Sequence, residues 1–128
     1  MPRAKELKVR VADRPGALGE VTAALAAKKI NLRAVNAWVE GDEGVIRLVA
    51  ESLPPERKAL TAMGLRVEEA DVVELELSDK PGALAGKAAA LGAAGINITH
   101  VYVGTGGARK ATVFLGVSDV AAALKAVR

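Results

Sequence analysis

Leu7, Val9 and Val11 alternate with Lys8 and Arg10 near the start of the chain, the period-2 pattern of a strand with one buried face. Asp13 ends that run. An aspartate followed two residues later by proline, as Asp13 is by Pro15, predicts a helix start: the carboxylate accepts an orphan backbone N–H and the proline fits the first turn. Leu18, Val21 and Leu25 recur at helical spacing and predict a helix to about Lys28. A second strand is expected over residues 30–40, a turn at Gly41-Asp42-Glu43-Gly44, and a returning strand over residues 45–50, which closes a hairpin. Pro54-Pro55 opens a second helix, Glu56 to about Met63, and Gly64 stops it. Residues 65–77 read as a strand that runs on without a linker.

The same order is then repeated: strand 72–77, helix 82–94, strand 96–103, a turn at Gly104-Thr105-Gly106-Gly107, strand 111–117 and helix 120–127. Asp13-Arg14-Pro15-Gly16-Ala17-Leu18 with Ile30-Asn31 returns as Asp79-Lys80-Pro81-Gly82-Ala83-Leu84 with Ile96-Asn97, an offset of 66 residues. An internal duplication of this kind defines the architecture. It divides the chain into repeats 1–70 and 71–128, each so short that a single core is barely stable alone, so the halves are expected to lean on each other. The βαββαβ order predicts an α+β, ferredoxin-like fold in each, with antiparallel sheets and the helices on one face. By the offset Arg128 corresponds to Ala62, so the second repeat lacks its last strand. Its open edge is expected to be covered by a strand from the first repeat or by another subunit.

Composition changes this picture mainly by exclusion. Aromatic residues make up only 2% of the chain, so the core must be built from small aliphatic side chains. Arg3, Lys5, Lys8 and Arg10 against Glu6 account for the whole net charge of +3, leaving no basic stripe for nucleic acid and no aromatic platform for single strands. With no cysteine there is no disulfide framework, no Cys-based metal site and no thiol nucleophile. No apolar run approaches about 18 residues and residues 1–6 lack a signal-peptide core, so no membrane association is expected and a cytoplasmic location is the default.

The repeated residues lie at strand and helix ends, where ligands are usually held. A helix start offers free backbone N–H groups and a dipole that favours an anion such as a carboxylate, and Gly16 and Gly82 remove the side chain that would block close approach. An α-amino acid also needs acceptors for its ammonium. Asn31 and Asn97 offer both donor and acceptor, and a bend at the entrance to the following strand is expected to bring them toward that surface. On residue chemistry alone a plainer reading stands beside this one: Asp13 and Asp79 as helix caps, the glycines as turn formers, the asparagines as helix stops. His100 is the single histidine, without a carboxylate or cysteine companion in sequence, and is expected to have a structural place on the sheet. Trp38 and Tyr102 are candidates either for a subunit contact or for ordinary packing. No catalytic constellation, metal-ligand set or cofactor motif is visible.

The Asp-x-Pro-Gly-x-Leu turn and the Gly-Ile-Asn-Ile strand entrance, complete in the second repeat as Asp79 to Leu84 and Gly95 to Ile98, resemble the ACT domain family of small-molecule sensing modules attached to enzymes of amino-acid metabolism. The resemblance covers nearly the whole chain as a tandem pair. It implies units paired edge to edge, with effectors bound at their interface between the first loop and the second strand. By position, Asp13, Gly16, Ala17, Leu18 and Asn31, and Asp79, Gly82, Ala83, Leu84 and Asn97, would line such sites. Lys29 stands where the second repeat has the helix-ending Gly95, at a backbone cost of up to ~1 kcal/mol. Where some serine-responsive members carry a histidine two residues before the acidic or amide loop residue, this chain has Val11 and Leu77, which favours a small or aliphatic amino acid. The implied function is a non-catalytic sensor, dimeric or larger, that binds an amino acid and regulates a partner or its own assembly. The alternative is a regulatory subunit of an amino-acid biosynthetic enzyme, resembling the small subunit of acetolactate synthase. Lys8 and Arg10 of the first strand correspond through the offset to Glu74 and Glu76, so equivalent strand faces carry opposite charges, which suits either complementary packing of the two repeats or two independently solvated strands.

Overall fold

The computed structural model describes residues 3–128. The elements follow in the order β1 (Arg3–Ala12), α1 (Ala17–Ala27), β2 (Leu32–Glu40), β3 (Glu43–Ala50), α2 (Leu53–Ala62), β4 (Val67–Ser78), α3 (Ala83–Ala93), β5 (Ile98–Gly107), β6 (Lys110–Val117) and α4 (Val120–Ala126). They form two compact units, one of residues 5–70 and one of residues 71–128 together with Arg3 and Ala4.

In the first unit the strand order is β2-β3-β1-β4, with β3 antiparallel to both β1 and β2. The alternation in β1 sends Leu7 and Val9 to a core that also holds Val21 and Leu25 of α1, Ile46 and Leu48 of β3, and Ala59 and Leu60 of α2. In the second unit the order is β1-β4-β6-β5, with β6 antiparallel to β4 and β5. Its core gathers Val73, Leu75 and Leu77 of β4 with Leu91, Val113, Leu115 and Ala123. Branched aliphatic side chains fill both, as the near absence of aromatics requires.

The edge that the second repeat leaves beside β4 is covered at its beginning from within the chain: Arg3 and Ala4, at the head of β1, belong to this unit, and Arg3 Nη1 lies 3.1 Å from Asp71 Oδ2. The first unit uses the first residues of β4 in the same way. There Lys5 meets Glu69 at 3.8 Å, Lys8 meets Glu68 at 3.5 Å, and Arg57 of α2 meets Glu69 at 3.3 Å. Arg10 pairs with Glu40 and Glu43 of its own hairpin. The cations of β1 thus have acidic partners in their own unit.

One turn departs from the sequence reading. The second hairpin turns at Ala108 and Arg109, after β5 has run through Gly104 to Gly107. Both turn residues take positive φ, 54° and 60°, as a two-residue turn matched to strand twist requires. Asp13 meets Asp42 across the first hairpin and Asp79 meets Arg109 across the second, so the offset between repeats grows from 66 to 67 at this turn.

Candidate functional site

Both strand-to-helix loops end on a glycine in the left-handed region, Gly16 at φ 89° and Gly82 at φ 87°, and these residues are the N-caps of α1 and α3. A β-carbon would be strained at either position. Asp13 and Asp79 do not cap: neither helix receives a side-chain cap bond. The physical reason is the extra turn of chain between them and the helix, closed in the first loop by Ala17 N–H to Arg14 C=O at 3.2 Å and in the second by Ala83 N–H to Lys80 C=O at 3.3 Å. The aspartates instead pin the loops to the hairpins, Asp13 N–H donating to Asp42 C=O at 3.3 Å and Asp79 N–H to Arg109 C=O at 2.7 Å.

Around the first loop Asp13, Ala17 and Leu18 come together with Val11, Ala37 and Val39 as part of the lining of an open groove of ≈ 250 Å³. Leu18 was expected in the buried stripe of α1, yet only Val21 and Leu25 of that stripe are buried and Leu18 is 44% exposed. Its counterpart Leu84 is 38% exposed. Val35 and Val39 on β2, and Val101 and Val103 on β5, are exposed as well, so six of the seven exposed large apolar side chains among the described residues stand on these loop helices and edge strands; Met63 is the seventh. The strand positions were missed in the sequence. Their signal was there, since apolar residues occupy alternate positions of an edge strand in both repeats.

Asn31 and Asn97 lie at the other end of each unit. Asn31 C=O accepts from Glu51 N–H at 3.2 Å and its side-chain Nδ2 donates to Glu51 at 3.1 Å. Asn97 is held equivalently, its C=O accepting from Ser118 N–H at 2.9 Å and its N–H donating to Ser118 Oγ at 3.1 Å. From Asp42, beside the loop, to Glu51, beside Asn31, the chain runs the length of β3, on the order of 25–30 Å. No bend at the strand entrance brings loop and asparagine together within a unit.

The loops differ in charge. Arg14 forms a two-pronged pair with Glu20 in the first turn of α1, Nη1 to Oε2 at 2.5 Å and Nη2 to Oε1 at 2.9 Å. That hydrogen bond, then the charge attraction, holds the Glu20 carboxyl below its ordinary range and raises the Arg14 guanidinium. The second loop carries Lys80 and Gly86 at these positions, and α3 has no acidic residue in its first turn.

Away from the loops, the sheet faces opposite the helices carry different furniture in the two units. In the first, Arg47 lies 4.3 Å over the Trp38 ring and 3.4 Å from the buried Glu6, while Trp38 Nε1–H donates to Glu40 at 2.9 Å. In the second, Tyr102 stacks on Phe114 at 5.4 Å and on His100 at 6.2 Å. The His100 ring lies across Gly116, its strand partner, only 2.0 Å from the point where a β-carbon would stand. His100 therefore has the structural place expected of it, and Trp38 and Tyr102 are packed. Glu56 of α2 was not anticipated: it is fully buried, both carboxylate oxygens lack a hydrogen-bond partner among the described residues, and burial pushes its pKa up to about 7. Among the described residues no three His, Cys, Asp or Glu side chains are grouped to hold a metal, and no helix is long and apolar enough to cross a membrane.

A family model for the ACT domain matches residues 5–63 and again residues 72–128. The chain belongs to the ACT family. Its two units are tandem ACT domains, and ACT domains are amino-acid-binding regulatory modules. Among solved structures, protein BT0572 from Bacteroides thetaiotaomicron is similar at 30% identity and a TM-score of 0.89, the match covering 97% of this chain and 85% of that one. The ligand-free regulatory subunit of aspartate kinase from Thermus thermophilus shares the fold at 21% identity and a TM-score of 0.68, over 98% and 90% of the two chains. That of Thermus flavus shares it at 20% and 0.63, over 99% and 91%. No curated protein sequence matches the chain.

Proposed function

We propose that this tandem ACT protein is a non-catalytic cytoplasmic sensor that binds a small or aliphatic amino acid between ACT units and so regulates a partner or its own assembly. The observation that carries the reading is the separation of the loop from the asparagine. Asp13, Gly16, Ala17 and Leu18 stand at one end of a unit and Asn31 at the other, and Asp79, Gly82, Ala83 and Leu84 are parted from Asn97 in the same way. Loop and asparagine can serve one ligand only when two units lie side by side and antiparallel, the loop from one and the strand entrance from the other. The exposed Leu18, Val35 and Val39, matched by Leu84, Val101 and Val103, supply the apolar edge for that pairing. A ligand that bridges two units favours the paired arrangement by its differential affinity, which is what a sensor requires.

The test is calorimetry of the full chain against the proteinogenic amino acids, with sedimentation in parallel. One amino acid is expected to bind and to shift the mass distribution, and the Asn31→Ala/Asn97→Ala double variant is expected to lose that binding. Undiminished binding in the double variant would place the site elsewhere. The second reading, a regulatory subunit of an amino-acid biosynthetic enzyme such as acetolactate synthase, uses the same apolar edge to bind a larger protein. Similar solved structures include regulatory subunits of aspartate kinase, which keeps this reading in play. A stoichiometric enzyme partner on purification from the native lysate would favour it.

A further inference from the structure

Glu56 is a buried titratable group that the amino-acid reading leaves unused. It stands in the first turn of α2, fully buried, with neither carboxylate oxygen hydrogen-bonded among the described residues. The helix lies on aliphatic side chains, Leu7 of β1, Val21 and Leu25 of α1 and Leu48 of β3 among them. None of the charged groups on the elements around α2 pairs with Glu56. Arg57 and Lys5 go to Glu69 of β4, Lys8 to Glu68, Arg10 to Glu40 and Glu43, Arg47 to Glu6, and Glu20 of α1 to Arg14. Lys28, at the end of α1, and Lys58 line a groove of ≈ 340 Å³ beside α2 with Pro55, Ala59 and Ala62. Burial alone perturbs the Glu56 carboxyl, raising its pKa to about 7.

The turn that carries Glu56 is lightly held. Ser52 makes no side-chain cap, Pro54 and Pro55 bring no N–H, and the opening helical bond, Glu56 N–H to Ser52 C=O, is long at 3.3 Å. In the second unit the matching turn of α4 is anchored: Asp119 accepts from Ala122 N–H at 3.0 Å, and Ala123 N–H donates to Asp119 C=O at 2.9 Å. Just ahead of Ser52 is Glu51, which holds Asn31 through its backbone N–H and its carboxylate. Movement of the first turn of α2 therefore reaches Asn31 through Ser52 and Glu51.

We propose that Glu56 is a pH-sensitive device that sets the Asn31 side chain: on ionising, its carboxylate turns from the core toward the groove beside Lys28 and Lys58, carries the first turn of α2 with it, and loosens Glu51 from Asn31. An ionised carboxylate without a partner is costly in an apolar core, whereas the groove offers it water and two cations. The second unit, with Ala123 and the Asp119 cap, has no such response at Asn97. The proposal rests on the reading of Asn31 as an effector contact. On that reading the first position holds an amino acid more tightly below neutral pH than above it, and the second holds one alike at both.

The full chain, labelled with 13C and 15N, is followed by NMR from pH 5 to pH 8 without any amino acid added. The Asn31 side-chain amide and the Glu51 backbone amide are expected to shift with the Glu56 carboxyl carbon, at a common midpoint of about 7, while the Asn97 amide does not follow. Glu56→Gln keeps the shape of the side chain and cannot ionise; Glu56→Ala gives α2 the residue that α4 has. Both are expected to lose the response at Asn31 and Glu51. A Glu56 carboxyl that titrates while Asn31 and Glu51 stay still, or a response that persists in either variant, overturns the proposal. Because these spectra contain no effector, that failure leaves the sensor reading to its own calorimetric test.

Discussion

The first and second units repeat one backbone with different side chains at its costly positions. After α1 the chain turns through Lys29 at φ 58°, and after α3 it makes the same turn through Gly95 at φ 74°. Where the second core has Ala123, the first has Glu56; where the first sheet face pairs Asn36 with Arg47, the second pairs Tyr102 with Phe114. In each case the backbone has been kept and the chemistry exchanged. Packing and hydrogen bonding thus set the fold of an ACT unit, while charge and ring placement are free to diverge and make the two halves unequal partners.

The largest expected effect lies at Glu56. Its carboxyl is protonated in folded and unfolded chains below about pH 4.5, but in the fold it keeps its proton up to about pH 7. The folded state therefore binds more protons between these values, and its stability falls as pH rises through that window, by on the order of 3 kcal/mol. Urea unfolding at pH 5, 6, 7 and 8 should show this fall in the unaltered chain and a flatter profile in Glu56→Gln. Ala123→Glu would transfer the same sensitivity to the second unit; identical profiles for unaltered and Glu56→Gln chains would remove this difference between the units.

A smaller effect is expected at Gly116. Gly116→Ala puts a methyl where the His100 ring lies, so the ring must leave its stack with Tyr102, at a cost of about 1–3 kcal/mol. His100→Ala should recover most of that loss when combined with Gly116→Ala. Additive losses in the double variant would show that the glycine serves the backbone instead. The counterpart position in the first unit already holds Val49, opposite Ala34, and has no ring to accommodate.

The smallest effect is at the helix ends. Lys29→Gly relieves a left-handed lysine and is expected to stabilise by up to ~1 kcal/mol, whereas Gly95→Lys should cost a similar amount. Thermal melts of the two single variants read this directly, and shifts of the same sign would break the equivalence of the turns.

Much of this was legible in the sequence because it depends on short-range geometry. The alternation of Leu7, Val9 and Val11 and the spacing of Val21 and Leu25 placed their elements correctly, and the tandem ACT resemblance agrees with the two family matches. The errors have a common origin. Asp13 and Asp79 satisfied the local rule for a cap, but a further turn of chain separates each from the helix and leaves Gly16 and Gly82 as the caps. Leu18 satisfied the spacing of a buried stripe, but it falls in the first helical turn, beyond the edge of the core.

By itself the sequence determined the order of elements, their duplication, and the loop glycines Gly16 and Gly82 that start the two helices. These follow from φ/ψ sterics and from the 2.0 and 3.6 periodicities, which act over a few residues. Only the tertiary structure decided that Glu56 is buried without a hydrogen-bond partner among the described residues, that His100 lies over Gly116, and that Glu20 pairs with Arg14 beside the first loop. Those outcomes depend on which surfaces the folded chain presses together and which it leaves in water, and that apposition is not a property of any local stretch of sequence.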